Sequence, residues 1–287
     1  MKAVFKHEVS SYFTGLTGYV FGAFLLLFTG IYCMVYNISG GLTNYEYVPA
    51  SLPFIFIIII PILTMRVISE EKKQRTDQLL YSLPLSMTQV VIAKYMALMV
   101  VFLVPVAIMC IYPLILTAFG HVYLPVVFGT MLAFYLMGGA LIAIGMFVSS
   151  LTDNQAVAAG INFVIMLVIY FITDLSEYAA TTAVGSLLAL IIVAILFSVL
   201  VGFMTKSVFS GFTVGVVLEA AIVAFFTIRR NSFEGLFPSI MNKLSIFERF
   251  YTFVQGVFDI TGIVYFLSII GVCLFLTVQS LEKRRWS

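Results

Sequence analysis

The sequence has few charged residues, and this scarcity excludes an ordinary soluble fold. Only 10% of the 287 residues are Asp, Glu, Lys or Arg, while 62% are hydrophobic and the mean hydropathy is +1.13. Such a chain has too little polar surface to cover a soluble globule, whereas about 20 apolar residues suffice for one membrane helix. A net charge of +2 is also too small and too dispersed to indicate nucleic-acid binding. The composition predicts an all-α polytopic membrane protein in contact with membrane lipid.

Side chains that usually carry catalysis or bind cofactors are scarce as well. Motifs such as H-E-x-x-H, G-x-S-x-G and G-x-x-x-x-G-K-[ST] are missing from the sequence. The two histidines, His7 and His121, lie far apart in the chain. The three cysteines, Cys33, Cys110 and Cys273, lie inside apolar runs, where a small hydrophobic role is favoured over a disulfide or a metal ligand. We therefore expect no enzyme, no metal site and no cofactor.

Eight apolar runs are long enough to cross a bilayer as helices. Each contains about 18 to 27 residues, which is the length that a membrane helix needs. The predicted spans are Gly18–Tyr36, Val48–Met65, Tyr95–Phe119, Val122–Val148, Ala156–Thr173, Ala183–Thr205, Gly211–Ile228 and Ile260–Val278. The sixth and seventh runs can be removed without changing the orientation of the others. We therefore interpret 183–228 as a hairpin inserted into a core of six spans.

Lys and Arg are distributed unequally between the two sides of this predicted bundle. With a cytoplasmic N-terminus and eight spans, eleven basic residues fall inside: Lys2, Lys6, Arg66, Lys72, Lys73, Arg75, Lys94, Lys206, Lys283, Arg284 and Arg285. Four fall outside: Arg229, Arg230, Lys243 and Arg249. This excess agrees with the positive-inside rule. Both termini are therefore predicted to be cytoplasmic.

Two segments outside the spans have the apolar spacing of amphipathic helices. Residues 1–17 place Val4, Phe5, Val9, Tyr12, Phe13 and Leu16 at helical spacing, which suits a helix in the membrane interface. An ordinary leader to the first span fits equally well. The external segment 231–259 repeats apolar residues at Leu244, Phe247, Tyr251, Val254 and Phe258. It could pack on the bundle, which we favour, or receive a partner.

Residues 66–86 form a charged segment between the second and third spans. Glu71 with Arg75, and Lys73 with Asp77, are four residues apart, which favours a helix that continues into water as far as Tyr81. A second helix should begin at Ser86, where Ser86-Met87-Thr88-Gln89 has the S-x-x-Q pattern of a capping box. The alternative is a solvated loop that fixes topology by its charge. Apolar residues within the segment, Leu79, Leu80 and Tyr81, argue against that alternative.

Three stretches of the chain resemble ABC-2 type ABC-transporter permeases. The first contains Met65-Arg66, Glu70-Glu71, Arg75-Thr76, Leu79-Leu80, Leu83-Pro84-Leu85-Ser86 and Lys94. The second, from Gly145 to Ala159, is similar to the cytoplasmic turn between the fourth and fifth spans of that family. The third, Gly256-Val257-Phe258-Asp259 and the tail that ends in Leu281-Glu282-Lys283-Arg284-Arg285-Trp286, resembles the gliding-motility-type (GldF-like) branch. The inserted hairpin departs from the six-span pattern of the family.

The resemblance implies a single transmembrane permease domain over residues 1–287 that moves a substrate when a separate ATPase dimer closes beneath it. Segment 66–86 would be the coupling element, through Glu70, Glu71, Arg75, Asp77, Leu79, Leu80 and Tyr81, with Asp153 in the turn Ser149–Gln155 as a second contact. A second permease chain, identical or different, and a gliding-type auxiliary membrane protein are the other implied partners. The expected location is the bacterial cytoplasmic (inner) membrane, and the expected direction is export.

Glu219 is the one acidic residue well inside a predicted span. An ionised carboxylate at that depth costs a few kcal/mol, so it should be protonated, paired or directed into a polar cavity. A role in transport and a structural hydrogen bond to a neighbouring span remain equally open. Intramembrane ionisable groups are typical of ion-coupled secondary transporters, which is the alternative function.

Overall fold

The computed structural model describes residues 1–75, 86–178, 181–205 and 207–286. These residues form helices and connecting turns, without a β-strand. The α-helices are α1 (Lys2–Thr14), α2 (Leu16–Cys33), α3 (Tyr47–Ala50), α4 (Pro53–Thr64), α5 (Ser69–Gln74), α6 (Met87–Met109), α7 (Ile111–Leu116), α8 (Leu124–Leu151), α9 (Gln155–Tyr178), α10 (Ala183–Thr205), α11 (Val208–Ile228), α12 (Leu236–Leu244), α13 (Ile246–Val254) and α14 (Ile260–Trp286). A π-helix, Met34–Ser39, extends α2, and a 3₁₀ turn, Arg230–Phe233, follows α11.

Seven of the described helical stretches are long and apolar enough to cross a membrane. They correspond to seven of the eight predicted spans. The exception is α10, whose apolar stretch in the described residues, Ala183–Val199, is shorter. The structure is therefore that of a multi-pass helical membrane protein, while the count of eight spans stays a prediction.

The first of two compact units contains Met1–Tyr170 and Ile246–Ser287. Its core surrounds α8, where the Phe134 ring lies 4.9 Å from Phe56 and 6.0 Å from both Phe102 and Phe250. Gly138 admits the Phe102 ring, since a Cβ at this glycine would lie 2.3 Å from that ring. Aromatic rings from α4, α6 and α13 thus meet Phe134 of α8, and this cluster joins three spans of the unit to α13.

Helix α13 packs on this core rather than standing apart from it. Phe247, Phe250 and Phe253 are buried, and the Thr130 hydroxyl of α8 donates to the Phe253 carbonyl at 3.2 Å. The predicted apolar stripe extended to Phe258, but that side chain is exposed. The helix ends at Val254 and Gly256 adopts the left-handed φ of +83°, so the backbone turns before the stripe is complete.

The second unit, Phe171–Ser245, contains the predicted hairpin. Helices α10 and α11 run antiparallel and approach closely where both carry small residues. A Cβ at Gly211 would lie 2.8 Å from the Gly202 Cα, and a Cβ at Gly215 would lie 3.0 Å from the Ser198 Cβ. Small residues four apart on facing helices are a common way to pack membrane helices at short range.

Candidate functional site

The structure confirms that a helix begins after Ser86 and runs on into the third predicted span. Ser86 caps α6, because its hydroxyl accepts from the Gln89 amide at 3.3 Å while the Gln89 side chain accepts from the Ser86 amide at 3.4 Å. This reciprocal pair is the capping box that the sequence predicted. The capping box fixes the first turn of α6, and it therefore fixes the position of the Lys94 side chain, which lies about two turns further along the helix.

Lys94 is the centre of a buried ionic cluster that joins three separate segments. Its ammonium Nζ lies 2.7 Å from Glu8 Oε1 on α1 and 2.7 Å from Glu71 Oε1 on α5. The same ammonium donates to the Val67 carbonyl, in the turn before α5, at 3.2 Å. An ammonium group has three N–H donors, so these three acceptors satisfy all of them. We call Glu8, Glu71 and Lys94 the Lys94 cluster.

Burial of the Lys94 ammonium carries a free-energy cost that its partners must offset. The Lys94 side chain is only 2% exposed, whereas Glu8 and Glu71 are 14% and 26% exposed. Removing an ammonium from water costs several kcal/mol, and the loss is offset only when its partners have good geometry and satisfy its donors. The cluster meets that requirement. It therefore fixes α1, α5 and α6 relative to one another, and loss of one partner should be costly.

Helix α1 brings Glu8 to the cluster by turning its apolar face toward α6. Tyr12, one turn after Glu8, is buried on this face, while Lys2, Lys6 and His7 on the opposite face are exposed. Burial, with a smaller contribution from Glu8, raises the pKa of the Tyr12 phenol, so this side chain stays neutral at physiological pH. The predicted interfacial helix is thus also a packed element of the first unit.

A second set of contacts joins the charged segment to the turn between α8 and α9. The Ser149 hydroxyl accepts from the Ile68 and Ser69 amides at 3.3 and 3.2 Å and lies 3.2 Å from the Met65 carbonyl. Lys72, also buried, donates to the Ser150 carbonyl. The chain from Met65 to Lys72 is therefore held by the end of α8 as well as by Lys94.

The structure places each described residue that the sequence predicted for coupling. Glu70 pairs with Arg66 on an exposed face at 2.9 Å, and Glu71 contacts Lys94. Asp153, which was predicted as a second contact for the ATPase, has its Oδ1 3.9 Å from Lys72 Nζ in the charged segment. Arg75 follows the last residue of α5, and the remaining predicted residues, Asp77, Leu79, Leu80 and Tyr81, lie outside the described residues.

The predicted continuous helix through the charged segment is wrong. Helix α4 ends at Thr64, and α5 is a separate helix that ends at Gln74. Arg75 has a left-handed φ of 58°, which a helix interior does not allow. The predicted support from Glu71 and Arg75 gives way to the contact between Glu71 and Lys94, because a buried ammonium needs a carboxylate more than an exposed guanidinium does.

Sequence reasoning did not identify Lys94 or Glu8 as site residues, and it included Ser149 only as the first residue of the turn Ser149–Gln155. A signal existed for Lys94, which follows Val90-Val91-Ile92-Ala93 inside an apolar helix where a charge requires a partner. Its partners could not be read from the sequence, because Glu8 is 86 residues away and Glu71 is 23 residues away.

A buried polar contact lies next to this region, where α4, α8 and α9 meet. The Asn162 amide donates to the Thr64 hydroxyl at 2.9 Å, and Thr64 in turn donates to the Ile60 carbonyl at 2.8 Å. Both side chains lie over Gly145, where a Cβ would be 2.4 Å from the Thr64 hydroxyl oxygen. Gly145 thus allows three helices to approach within hydrogen-bond distance.

Glu219 lies in the second unit, half-buried on α11. Among the described residues it has no hydrogen bond and no ion pair. The structural hydrogen bond to a neighbouring span, one of the two alternatives for this residue, is therefore not seen in the part of the chain that the structure describes.

Comparison with known protein families identifies the class of this chain. A family model described as ABC-2 family transporter protein matches residues 5–180, which is more than half of the 287-residue chain. The chain belongs to the ABC-2 transporter family. The matched range includes α1 from residue 5 onward, the charged segment, the Lys94 cluster and the turn after α8, and it ends before the hairpin. A search of curated proteins found no match.

Membership of this family, together with the seven long apolar helices found in the described part of the chain, makes the chain a multi-pass membrane protein and a permease of the ABC transporter class. Such permeases generally dimerise and work with an ATPase subunit.

Proposed function

We propose that this permease belongs to the gliding-motility-type branch and exports a substrate across the bacterial cytoplasmic membrane, driven by a separate ATPase dimer. Residues 1–287 act as a single transmembrane domain with both termini cytoplasmic, and the domain pairs with a second permease chain. The tail from Gly256 to Trp286 supports the choice of branch, and the excess of basic residues at one side supports the orientation. An auxiliary membrane protein of the gliding type is the further partner that this branch implies.

The observation that carries the proposal is the double attachment of the charged segment. The Lys94 cluster holds Glu71 from one side, and Ser149 with the Ser150 carbonyl holds residues Met65 to Lys72 from the other. A loop that only fixed topology would need none of these buried contacts. A segment that transmits the movement of an ATPase needs rigid attachment to the spans, since a compliant connection would absorb the displacement.

The same contacts connect this segment to several spans at once. Lys94 is part of α6, Ser149 is part of α8, and Ser280 of α14 donates to the Ser150 carbonyl at 3.0 Å. A displacement of α5 therefore acts on α6, α8 and α14 together, and α1 follows through Glu8. This arrangement fits a coupling element at the base of a transport pathway.

Adjacent glutamates on α5 allow a matched test of coupling. Glu71→Gln weakens a buried charged contact, while Glu70→Gln weakens an exposed ion pair that is worth at most about 1 kcal/mol. Each variant is purified from membranes with its ATPase subunit, and ATP hydrolysis by the complex is measured together with the amount of ATPase that co-purifies. We expect Glu71→Gln to reduce the hydrolysis that the permease controls several-fold, and Glu70→Gln to match the wild type.

Two results would contradict the proposal. If no ATPase co-purifies with the wild-type chain, the separate energy-supplying subunit is wrong. If an ATPase co-purifies but both glutamate variants behave alike, α5 does not transmit movement.

Leu80→Asp examines the part of the charged segment beyond the described residues. We expect this variant to insert into the membrane but to lose co-purification of the ATPase.

A further inference from the structure

Glu219 occupies the middle of an apolar helix. In α11, which runs from Val208 to Ile228, it is about 15 Å from either end at 1.5 Å per residue. An aspartate or glutamate at such a depth has no water to solvate it and normally faces a polar partner. Its surroundings in the hairpin therefore indicate what that partner is.

The packing of the hairpin directs Glu219 to the seam between its two helices. Gly211 lies against Gly202, and Gly215 lies against Ser198. One more turn in the same antiparallel register brings α11 to Glu219 and α10 to Ala194, which is itself buried. Small residues on α10 thus leave room along the seam, while the remainder of the Glu219 side chain stays exposed at the hairpin surface.

The described residues of this unit offer no cation at that depth. Its basic residues there, Arg229, Arg230 and Lys243, follow α11 or lie on α12 beyond the end of the hairpin. Arg229 is ten residues from Glu219, about 15 Å along the helix axis. Glu219 itself makes no hydrogen bond or ion pair within the described ranges. The seam therefore presents an uncompensated carboxyl group to whatever packs against it.

The buried basic residues that the structure describes in a second copy of this chain are already paired, Lys94 with Glu8 and Glu71, and Lys72 with the Ser150 carbonyl and Asp153. We propose that the hairpin seam at Glu219 docks a transmembrane helix of a different protein, one that carries a single Lys or Arg near the middle of its span. Charge complementarity selects this occupant, because an acid–base pair in the membrane removes the penalty that each group has alone. This proposal is independent of the proposed ATPase coupling, because the experiment below measures peptide binding by the chain without an ATPase.

The experiment uses a synthetic leucine-alanine transmembrane peptide with one central lysine, and the same peptide with leucine in its place. The full-length protein, labelled at a terminal tag, is reconstituted in phosphatidylcholine vesicles with acceptor-labelled peptide, and association is measured by energy transfer. We expect the lysine peptide to bind the wild type roughly three to fifteen times more tightly than the leucine peptide. Glu219→Gln, which keeps the shape of the side chain, should remove this preference.

Two further arms define the site. Glu234→Gln alters an exposed carboxylate of the same unit outside the helices, and it should leave the preference for the lysine peptide intact. Glu219→Lys should instead prefer a peptide with a central glutamate. Equal binding of the lysine and leucine peptides by the wild type would overturn the proposal. The proposal would also be overturned if two differently labelled copies of the full-length chain showed energy transfer and Glu219→Gln abolished it. The seam would then join identical subunits.

Discussion

Replacing Lys94 by Met should destabilise the first unit more than any other single change of a basic residue discussed above. The substitution keeps an unbranched side chain of similar length but removes the cation that both carboxylates contact at 2.7 Å. Glu8 and Glu71 then lie within twice that distance of each other. Two like charges at about 5 Å repel by roughly 3 kcal/mol at an effective dielectric constant of 20. Mutations that leave a buried charge uncompensated cost a similar amount, about 3 to 5 kcal/mol.

Lys73→Met provides the matched control, because Lys73 is exposed on α5. Thermal unfolding in detergent is followed by fluorescence-detected size-exclusion chromatography. A loss of about 3 kcal/mol corresponds to a fall in Tm of roughly 6 to 12 °C, whereas the control should shift by a degree or two.

Equal unfolding temperatures for Lys94→Met and Lys73→Met at neutral pH would refute the energetic account of the Lys94 cluster.

Three further predictions address other parts of the chain. The Asp259 carboxylate caps the start of α14, and hydrogen bonds from Thr261 and Gly262 hold its pKa below the usual value. This cap therefore stabilises α14 above the ordinary carboxyl pKa, and the stabilisation is lost as the pH falls. Asp259→Ala should lower the free energy of unfolding by about 1 kcal/mol at neutral pH and make that free energy depend less on pH in the acidic range. A cysteine at Asn44 should react with an impermeant thiol reagent in intact cells, while one at Lys73 should not, and labelling at Lys73 would reverse the topology. Gly145→Ala should lower the unfolding temperature, whereas Gly160→Ala, with open space around it, should be neutral or stabilising; equal shifts would count against the packing at Gly145.

The sequence determined those features that depend on neighbours along the chain. Apolar length alone predicts a membrane span, because each membrane helix satisfies its backbone hydrogen bonds internally. The capping box at Ser86 and the hairpin of α10 and α11 were predicted for the same reason, since their signals lie within a few residues of the structure that they form. The family resemblance was also contained in short local stretches.

The tertiary structure alone decided how the charged residues are paired. Glu71 was expected to support a helix through Arg75, yet it contacts Lys94, and Asp153 lies 3.9 Å from the Lys72 ammonium of the charged segment. Pairing rules for residues four apart on a helix predict exposed ion pairs, which contribute little stability. They do not reveal which distant carboxylate contacts a buried ammonium. Packing of α1 and α5 around α6 fixes that choice, because Lys94 must satisfy all its donors once water is excluded.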